Sequence, residues 1–597
     1  MMIFADHKED YSSDVCLNNI RTLIDRAQKA SFLDHSINTD LLISFGEFES
    51  SLIDILCPEV DTSNSFTRLL RRAAAIIGHI FVSSLLMKFD RLENNAEELK
   101  KIIYEISSFD QLPKSITISL PEGYAYYGLY PEMYYESAKE FVKKKKPDKA
   151  FTIGIRSIGT SLSSVISAAL ENDNCIVNSI TLRPRGDYFN RTLKVNNELL
   201  SEIKSNADSY FLIVDEGPGL SGTSFCSAAE FLSLLGIKDE KIVLFPSWLP
   251  DASSFVSELS KRRWPMHEKY CASFESSSFG IDKIKRSFPF QNIYDISAGK
   301  WRELFFENIS NSPAVFQNFE QRKYLLTEKP VLQVPKTLLK NDEEVFFLKF
   351  SGLGHYGLHL HKRALLLSDA GFSPKTYELS SGFIRFDFIK GIPLSHEDVS
   401  PQLLKRISEY LSFLKKNFSS VKPSLSFDEI REMIKINVQK GLGYEWEDYL
   451  DNLYSFNSEG FEKNIVEIDG RMLPYEWIKT KDSFIKTDSI HHHTDHLLPG
   501  RTDIAWDIAG TIVEFHLDSS NAEYLLKEYS RLSGDPLSKE RLHFFMIAYL
   551  AFRLGYSCFA SERLGNSSDG RNFKWLSNYY SSMLKDLLKK VMHNYSK

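Results

Sequence analysis

The chain has 597 residues, 43% hydrophobic and 25% charged, with a formal net charge of −7 at pH 7. That length suggests about three or four domains, and the charge supplies no general attraction to nucleic acid or to an anionic membrane. Six scattered cysteines (Cys16, Cys57, Cys175, Cys226, Cys271 and Cys558) form no CxxC pair, which argues against a zinc module and a disulfide framework.

The opening MMIFADHKEDYSSDV has neither the basic nor the apolar region of a signal peptide. AAAIIGHIFVSSLLM, residues 73–87, falls short of the ~20 apolar residues of a membrane span and contains His79. It reads as a buried helix, and the protein as soluble and cytoplasmic. Residues 1–111 read as a helical N-terminal region, because LLRRAAAIIGHIFVSSLLMKFDRL and NNAEELKKIIYEISSF repeat apolar positions every three or four residues. A short strand, a Tyr-rich turn and a helix ending at a lysine run before Pro147 follow. Tyr124, Tyr126, Tyr127, Tyr130 and Tyr134 cluster there. They either pack a helix onto a sheet or offer a ring that stacks on a base.

Residues 112–312 carry four compact apolar runs, AFTIGI, CIVNSITL, SYFLIV and KIVLFP, alternating with helical patterns. Alternation of that kind predicts a parallel sheet with crossover helices. In residues 313–597, VFFLKF and GFIRFDFI read as strands flanking the helix HLHKRALLLSDAG, and the chain after IKGIPLS reads as largely helical. The expected class is multidomain α/β: a helical region, a parallel-sheet domain and an α+β two-lobed domain.

The chemistry concentrates in FLIVDEGPGLSGTSF, residues 211–225. A strand ends in Asp215 and Glu216, and a loop then leads into a helix. Gly217, Gly219 and Gly222 let backbone amides approach a phosphate, while Ser221, Thr223 and Ser224 add hydroxyl donors. The two acids repel phosphate and suit vicinal hydroxyls or a magnesium ion, so the ligand with both parts is a ribose 5-phosphate moiety. No lysine follows Gly222, which excludes a nucleotide P-loop, and the glycines follow the acids rather than precede them, unlike a dinucleotide fingerprint. The plain alternative is a tight strand-to-helix turn.

This apolar run, acid pair and Gly/Ser/Thr loop resembles the diphosphoribosyl-binding signature of type I phosphoribosyltransferases, with a loop one residue longer than the commonest form. The resemblance implies transfer of phosphoribose from phosphoribosyl diphosphate, held with Mg2+, to a nitrogenous small-molecule acceptor. Pyrophosphate leaves through an oxocarbenium-like transition state, in which the protein positions groups and stabilises charge. Asp215 and Glu216 would hold the ribose hydroxyls, and Gly219, Leu220, Ser221, Gly222, Thr223 and Ser224 the 5-phosphate. Arg156, Ser157, Gly159, Thr160 and Ser161 occupy the place of the pyrophosphate loop. Arg183, Arg185 and Arg191 lie where that family has a closing loop, from which they would meet the pyrophosphate. The acceptor is left open, and so is the oligomeric state, a homodimer included.

VFFLKFSGLGHYG and GFIRFDFIKGIPLS resemble the small lobe and hinge of aminoglycoside phosphotransferases and choline kinases. The resemblance makes Lys349 the lysine for ATP phosphates. It lays IDGRMLPYEWI on the catalytic loop, with Asp469, Arg471 and Glu476 at the His, Asp and Asn positions. Asp488 becomes a metal ligand beside Glu476, and Asp503 and Asp507 open the late helix. Arg471 departs from the pattern, because an arginine does not serve as the base. The helix after Lys349 offers no obvious glutamate partner. In HHHTDH, a loop that gathers His491, His493, Asp495 and His496 would make a metal site. Phosphoribosyl transfer is therefore the expected function. The alternatives are ATP-dependent phosphorylation of a small molecule by the C-terminal domain and a catalytically silent nucleotide sensor.

Overall fold

The computed structural model of the chain describes residues 8–88, 92–187, 189–219, 221–306, 312–316, 322–328, 344–455, 464–494 and 497–595. Helices α1 (Ser13–Lys29), α2 (His35–Leu56), α3 (Ser65–Leu85) and α4 (Leu92–Ser107) build the N-terminal region. Strands β1 (Lys8–Ser12) and β2 (Ser115–Ser119) pair antiparallel beside them. Asn64 closes a capping box at the start of α3, and Leu70, Ala73, Ala74, Ile77, Ile80 and Phe81 bury one face of it. The AAAIIGHIFVSSLLM run thus lies in a core helix.

The parallel sheet takes up β3 (Lys149–Ile155), β4 (Ile176–Leu182), β5 (Tyr210–Val214), β6 (Ile242–Phe245) and β7 (Glu268–Lys269). Its order is β4-β3-β5-β6-β7, with every pair parallel. Helices α5 (Pro131–Lys145), α6 (Gly159–Glu171), α7 (Asn197–Ser205), α8 (Thr223–Leu234) and the short α9 (Glu258–Arg263) accompany it. Both faces of β5 are buried: Leu212 and Val214 join one apolar cluster, Phe211 and Ile213 another. That is why the strand reads as an unbroken apolar run. The order reverses between β3 and β5, so the loops leaving these two strands lie side by side at a topological switch point.

The N-terminal helices are welded to this sheet. A Cβ on Gly78 of α3 would lie 2.4 Å from the Ser164 carbonyl oxygen of α6, so the two helices cross at near backbone contact. Arg71 pairs with Glu49 at 3.0 Å and donates to Ser179 Oγ at 2.8 Å.

The third unit begins with α10 (Ile281–Ser287), β8 (Asn292–Asp295) and α11 (Arg302–Phe305). Its antiparallel sheet adds β9 (Lys323–Thr327), β10 (Val345–Phe350), β11 (Thr376–Ser380) and β12 (Phe383–Asp387) in the order β11-β12-β10-β9-β8. The expected boundary at residue 312 therefore falls between two strands of one sheet. Four residues, NIYD, have too little period to announce β8. Helix α12 (Gly354–Asp369) packs beside this sheet. A second lobe follows: α13 (Pro401–Asn417), α14 (Phe427–Leu442), α15 (Ala505–Glu514), α16 (Ser519–Ser533), α17 (Lys539–Leu564) and α18 (Ser568–Tyr595). Short strands β13 (Ile392–Pro393), β14 (Ile465–Glu467), β15 (Trp477–Lys479), β16 (Phe484–Lys486) and β17 (Arg501–Asp503) thread between them. Helix α17 is apolar and long enough to cross a membrane, yet 78% of its most apolar window is buried in the protein.

The N-terminal region also grips the third unit. Asp40 Oδ1 of α2 accepts the His355 backbone N–H and approaches His355 Nδ1, both at 2.9 Å, while Tyr356 donates to Glu47 at 2.5 Å. Leu353, before α12, offers that helix end no side-chain cap. A carboxylate from another unit supplies it instead.

Candidate functional site

At the switch point, burial pushes the Asp215 carboxyl up to about 6 and the Glu216 carboxyl up to about 8, the latter raised further by Glu122 and Asp215. Neither forms an ion pair among the described residues. Tyr134 donates to the Asp215 carbonyl at 2.7 Å. The loop turns through a cis Gly217–Pro218 bond and a left-handed Gly222 at φ 64° before α8 starts. Ser221 Oγ and Thr223 Oγ1 stand 3.0 Å apart, and Arg191 donates to Ser224 Oγ at 2.5 Å. Gly219 is exposed, and Leu220 lies outside the described residues. Ser157, in the loop after β3, holds a φ of 141°, uncommon for a residue with a side chain. The two loops touch: a Cβ on Gly159 would lie 2.4 Å from the Val214 oxygen. Thr160 is buried, and Ser161 meets Tyr124 at 2.8 Å.

Three expected pyrophosphate ligands are otherwise engaged. Arg156, 1% exposed, donates to Asp54 at 2.7 Å and also binds Asp61. Arg183 holds Asp54 as well, and Arg185 donates to Asp61 at 2.7 Å. Both aspartates come from LIDILCPEVD at and after the end of α2, which bends over the carboxyl edge of the sheet. The cavity left there, lined by Asp54, Ser157, Ser161 and Arg183 among others, measures about 70 Å³. Small-molecule sites ordinarily span about 300–1,000 Å³. Of the tyrosines, Tyr124, Tyr126, Tyr130 and Tyr134 are buried and brace the loops, so none of these four offers a face for stacking; Tyr127 is half-buried.

A cavity of about 670 Å³ opens between the antiparallel sheet and the helical lobe. Phe347, Phe388, Trp301, Tyr475 and Tyr556 give it apolar walls, and Lys349, Asp488, His491, Glu476 and Arg471 are polar groups that line it. Lys349 projects from β10 and donates to Asp488 Oδ1 at 2.6 Å and to His491 Nδ1 at 2.7 Å. Burial draws the Lys349 ammonium down to about 8. Burial is the largest influence on the Asp488 carboxylate and opposes its charge, but Lys349, His491 and His492 together outweigh it and hold Asp488 well below the usual range. Burial and Lys349 together lower His491 to about 3, so its ring is neutral and accepts.

The segment 469–476 is held from below. Asp507, at the start of α15, accepts the N–H groups of Asp469 and Gly470, each at 2.7 Å. Asp503 pairs with Arg541 through both oxygens, at 2.9 and 2.6 Å. These two acids are therefore braces. Asp469 accepts from Tyr410 at 2.6 Å and lies 3.3 Å from Lys486, whose ammonium also donates to Glu476 at 2.7 Å. Glu476 and Asp488, the expected metal pair, are thus each compensated by a lysine. Arg471 faces the cavity, its guanidinium 6.0 Å from the Tyr556 ring centroid.

The three adjacent histidines do not gather on one ion. His491 meets Lys349 and Asp488, His492 comes within 3.5 Å of Asp469, and His493 lies 3.1 Å from His359 of α12. Asp495 and His496 lie outside the described residues. Sequence reading missed Asp54, Asp61, Tyr410, His359 and Glu467, whose partners are all distant in the chain. Lys486 stood in plain view in FIKTD, but nothing local points it at Asp469.

No family model and no curated protein matches the chain. Among solved structures it is similar to choline kinase LicA from Streptococcus pneumoniae, with 16% identity and a TM-score of 0.34 over 52% of this chain and 97% of that one. It is also similar to a Plasmodium vivax ethanolamine kinase, with 14% identity and a TM-score of 0.31 over 45% and 80%. Spectinomycin phosphotransferase APH(9)-Ia, in complex with ADP and spectinomycin, matches at 12% identity and a TM-score of 0.32 over 48% and 91%. Likeness at this level leaves the chemistry to be argued from the residues themselves.

Proposed function

We propose that the interlobe cavity binds a nucleoside triphosphate and transfers a phosphoryl group to a small-molecule acceptor. The observation that carries this reading is Lys349, a buried lysine of lowered pKa hydrogen-bonded to Asp488 in the wall of a cavity of ligand size. Phosphate oxygens would take Lys349 as a point charge. Magnesium prefers one or two carboxylates plus phosphate oxygens and water, and Asp488 suits it once Lys349 turns to the phosphates. When bound, the ion would offset charge on the transferred group. Glu476 fits less well, because Lys486 already holds it. Phosphoryl transfer is mainly positioning and charge stabilisation, so Arg471 suits the phosphate or the leaving oxygen rather than proton abstraction. Calorimetry with ATP and Mg2+ on the wild type and Lys349→Met tests the reading, followed by ADP release with amino-alcohol and aminoglycoside acceptors. Binding by the wild type that weakens at least about tenfold in the variant supports it. No ATP binding by the wild type overturns it, and binding without ADP formation leaves a nucleotide sensor.

A second reading keeps the switch point as a phosphorylated-ribose site. The specific support is the pair Asp215 and Glu216, both with raised pKa values and both leading into the loop that carries the Ser221 and Thr223 hydroxyls. Phosphoribosyl diphosphate would enter only with the Asp54/Asp61 segment displaced. Titration with phosphoribosyl diphosphate and Mg2+ that gives no heat with the wild type rejects it; binding abolished by Asp215→Asn/Glu216→Gln supports it.

A further inference from the structure

A cluster outside both sites joins the two lobes of the third unit. His359 comes from α12 of the small lobe, Glu467 from β14 and His493 from the turn before β17. The His359 and His493 Nε2 atoms are 3.1 Å apart. Glu467 Oε1 lies 3.4 Å from the first and Glu467 Oε2 lies 3.5 Å from the second. A hydrogen bond between the rings accounts for one of these three approaches. It does not account for a carboxylate drawn to both nitrogens.

A tetrahedral ion with ligands at about 2.0–2.1 Å has ligand-to-ligand edges of about 3.3–3.4 Å. The ring-to-ring and His359–Oε1 separations, 3.1 and 3.4 Å, bracket that edge, and one donor atom from each of the three residues lies within 4.8 Å of the other two. Burial fits as well. The His493 side chain is 2% exposed and its Nδ1 has no hydrogen-bond partner among the described residues, so the ring is anchored through Nε2 alone. His359 is 48% exposed, which leaves a path for an ion and a water. Arg363, with its Nη1 donating to the Glu467 carbonyl at 3.0 Å and standing 3.4 Å from Oε2, orients the carboxylate and leaves Oε1 free to ligate.

We propose that His359, His493 and Glu467 form a site for a divalent late first-row transition metal, zinc foremost, which clips the small lobe to the large one with water as fourth ligand. Two imidazoles and one carboxylate suit such an ion, whereas magnesium and calcium seek all-oxygen shells. The site is separate from the interlobe cavity: none of its three ligands lines that cavity.

Full-length protein stripped with a chelator is titrated with Zn2+ and, in parallel, with Co2+, whose visible absorption reports tetrahedral ligation. The expected result is one tight equivalent, an intense cobalt spectrum, and a rise in the melting temperature on adding Zn2+. Affinity for Zn2+ and for Co2+ should each weaken by at least about tenfold in His359→Ala and His493→Gln and persist in His491→Gln. His359 is half exposed, so His359→Ala is the variant that keeps the test valid if His493→Gln misfolds; circular dichroism checks each. No bound metal in the wild type overturns the proposal. So does full binding by folded His359→Ala, or loss of binding in His491→Gln with retention in His359→Ala, which places the ion in the interlobe cavity.

Discussion

Lys486 ties together the acids of the segment 469–476. It is fully buried between Asp469 and Glu476, with its remaining bond on the Asp488 carbonyl. Removing one partner of a buried ionic cluster strands the others, at a cost of about 3–5 kcal/mol. Lys486→Met should lower the denaturant midpoint of the third unit accordingly, and a shift of less than about 1 kcal/mol would show the acids to be solvated. Glu216 offers a pH-dependent counterpart. Its folded pKa of about 8 stands above the ordinary value near 4.5, so the folded state binds more protons between those pH values. Stability is then lost as pH rises through that window. Glu216→Gln is free of the effect, and its advantage over wild type should grow from pH 5 to pH 9, on the order of 2–4 kcal/mol. A pH-independent difference in unfolding midpoints would refute the buried charge. At this scale the sequence displayed the right residues without their partners. Arg156, Arg183 and Arg185 stand in a region that invites phosphate, yet their acids arrive from about a hundred or more residues earlier in the chain, and no local spacing announces them.

The elements were far more legible than the site. Every apolar run of the parallel sheet became a strand, because burial on both faces writes itself as an unbroken hydrophobic word. VFFLKF and GFIRFDFI did the same for the antiparallel sheet. Strand β8 stayed hidden because a four-residue edge strand carries almost no periodic signal. The cap of α12 was hidden for another reason, since Asp40 lies 315 positions from His355. Asp40→Ala should cost about 1 kcal/mol and raise amide exchange over the first turn of α12, with exchange in α13 unchanged. Unaltered exchange at residues 354–357 would mean that the helix start is held by its neighbours rather than by the carboxylate.

Across the whole molecule, the helical region serves two masters. Its α3 lies against α6 of the parallel sheet, and its α2 holds α12 of the third unit. His355 sits at the second junction. Burial opposes its charge, but Glu47 and Asp40 outweigh it and lift the imidazole to about 9. A histidine raised above its ordinary 6.5 stabilises the junction fully below that pH, and the contribution fades as pH climbs through 9. The stability difference between wild type and His355→Ala should therefore shrink from pH 6.5 to pH 9.5 in thermal unfolding. A constant difference would assign the contact to packing alone.

The borrowed cap on α12 has a bearing on how this protein can be taken apart. A chain beginning after the parallel sheet would retain α12 and the apolar cluster that buries its Leu360, Ala364 and Leu367, but would lose the packing on α2 and leave the leading amides of that helix to water. Exchange of the front half for a homologous module would require the newcomer to bring a carboxylate to the same spot. The three units, separable on paper by composition, are in this respect inherited as one piece.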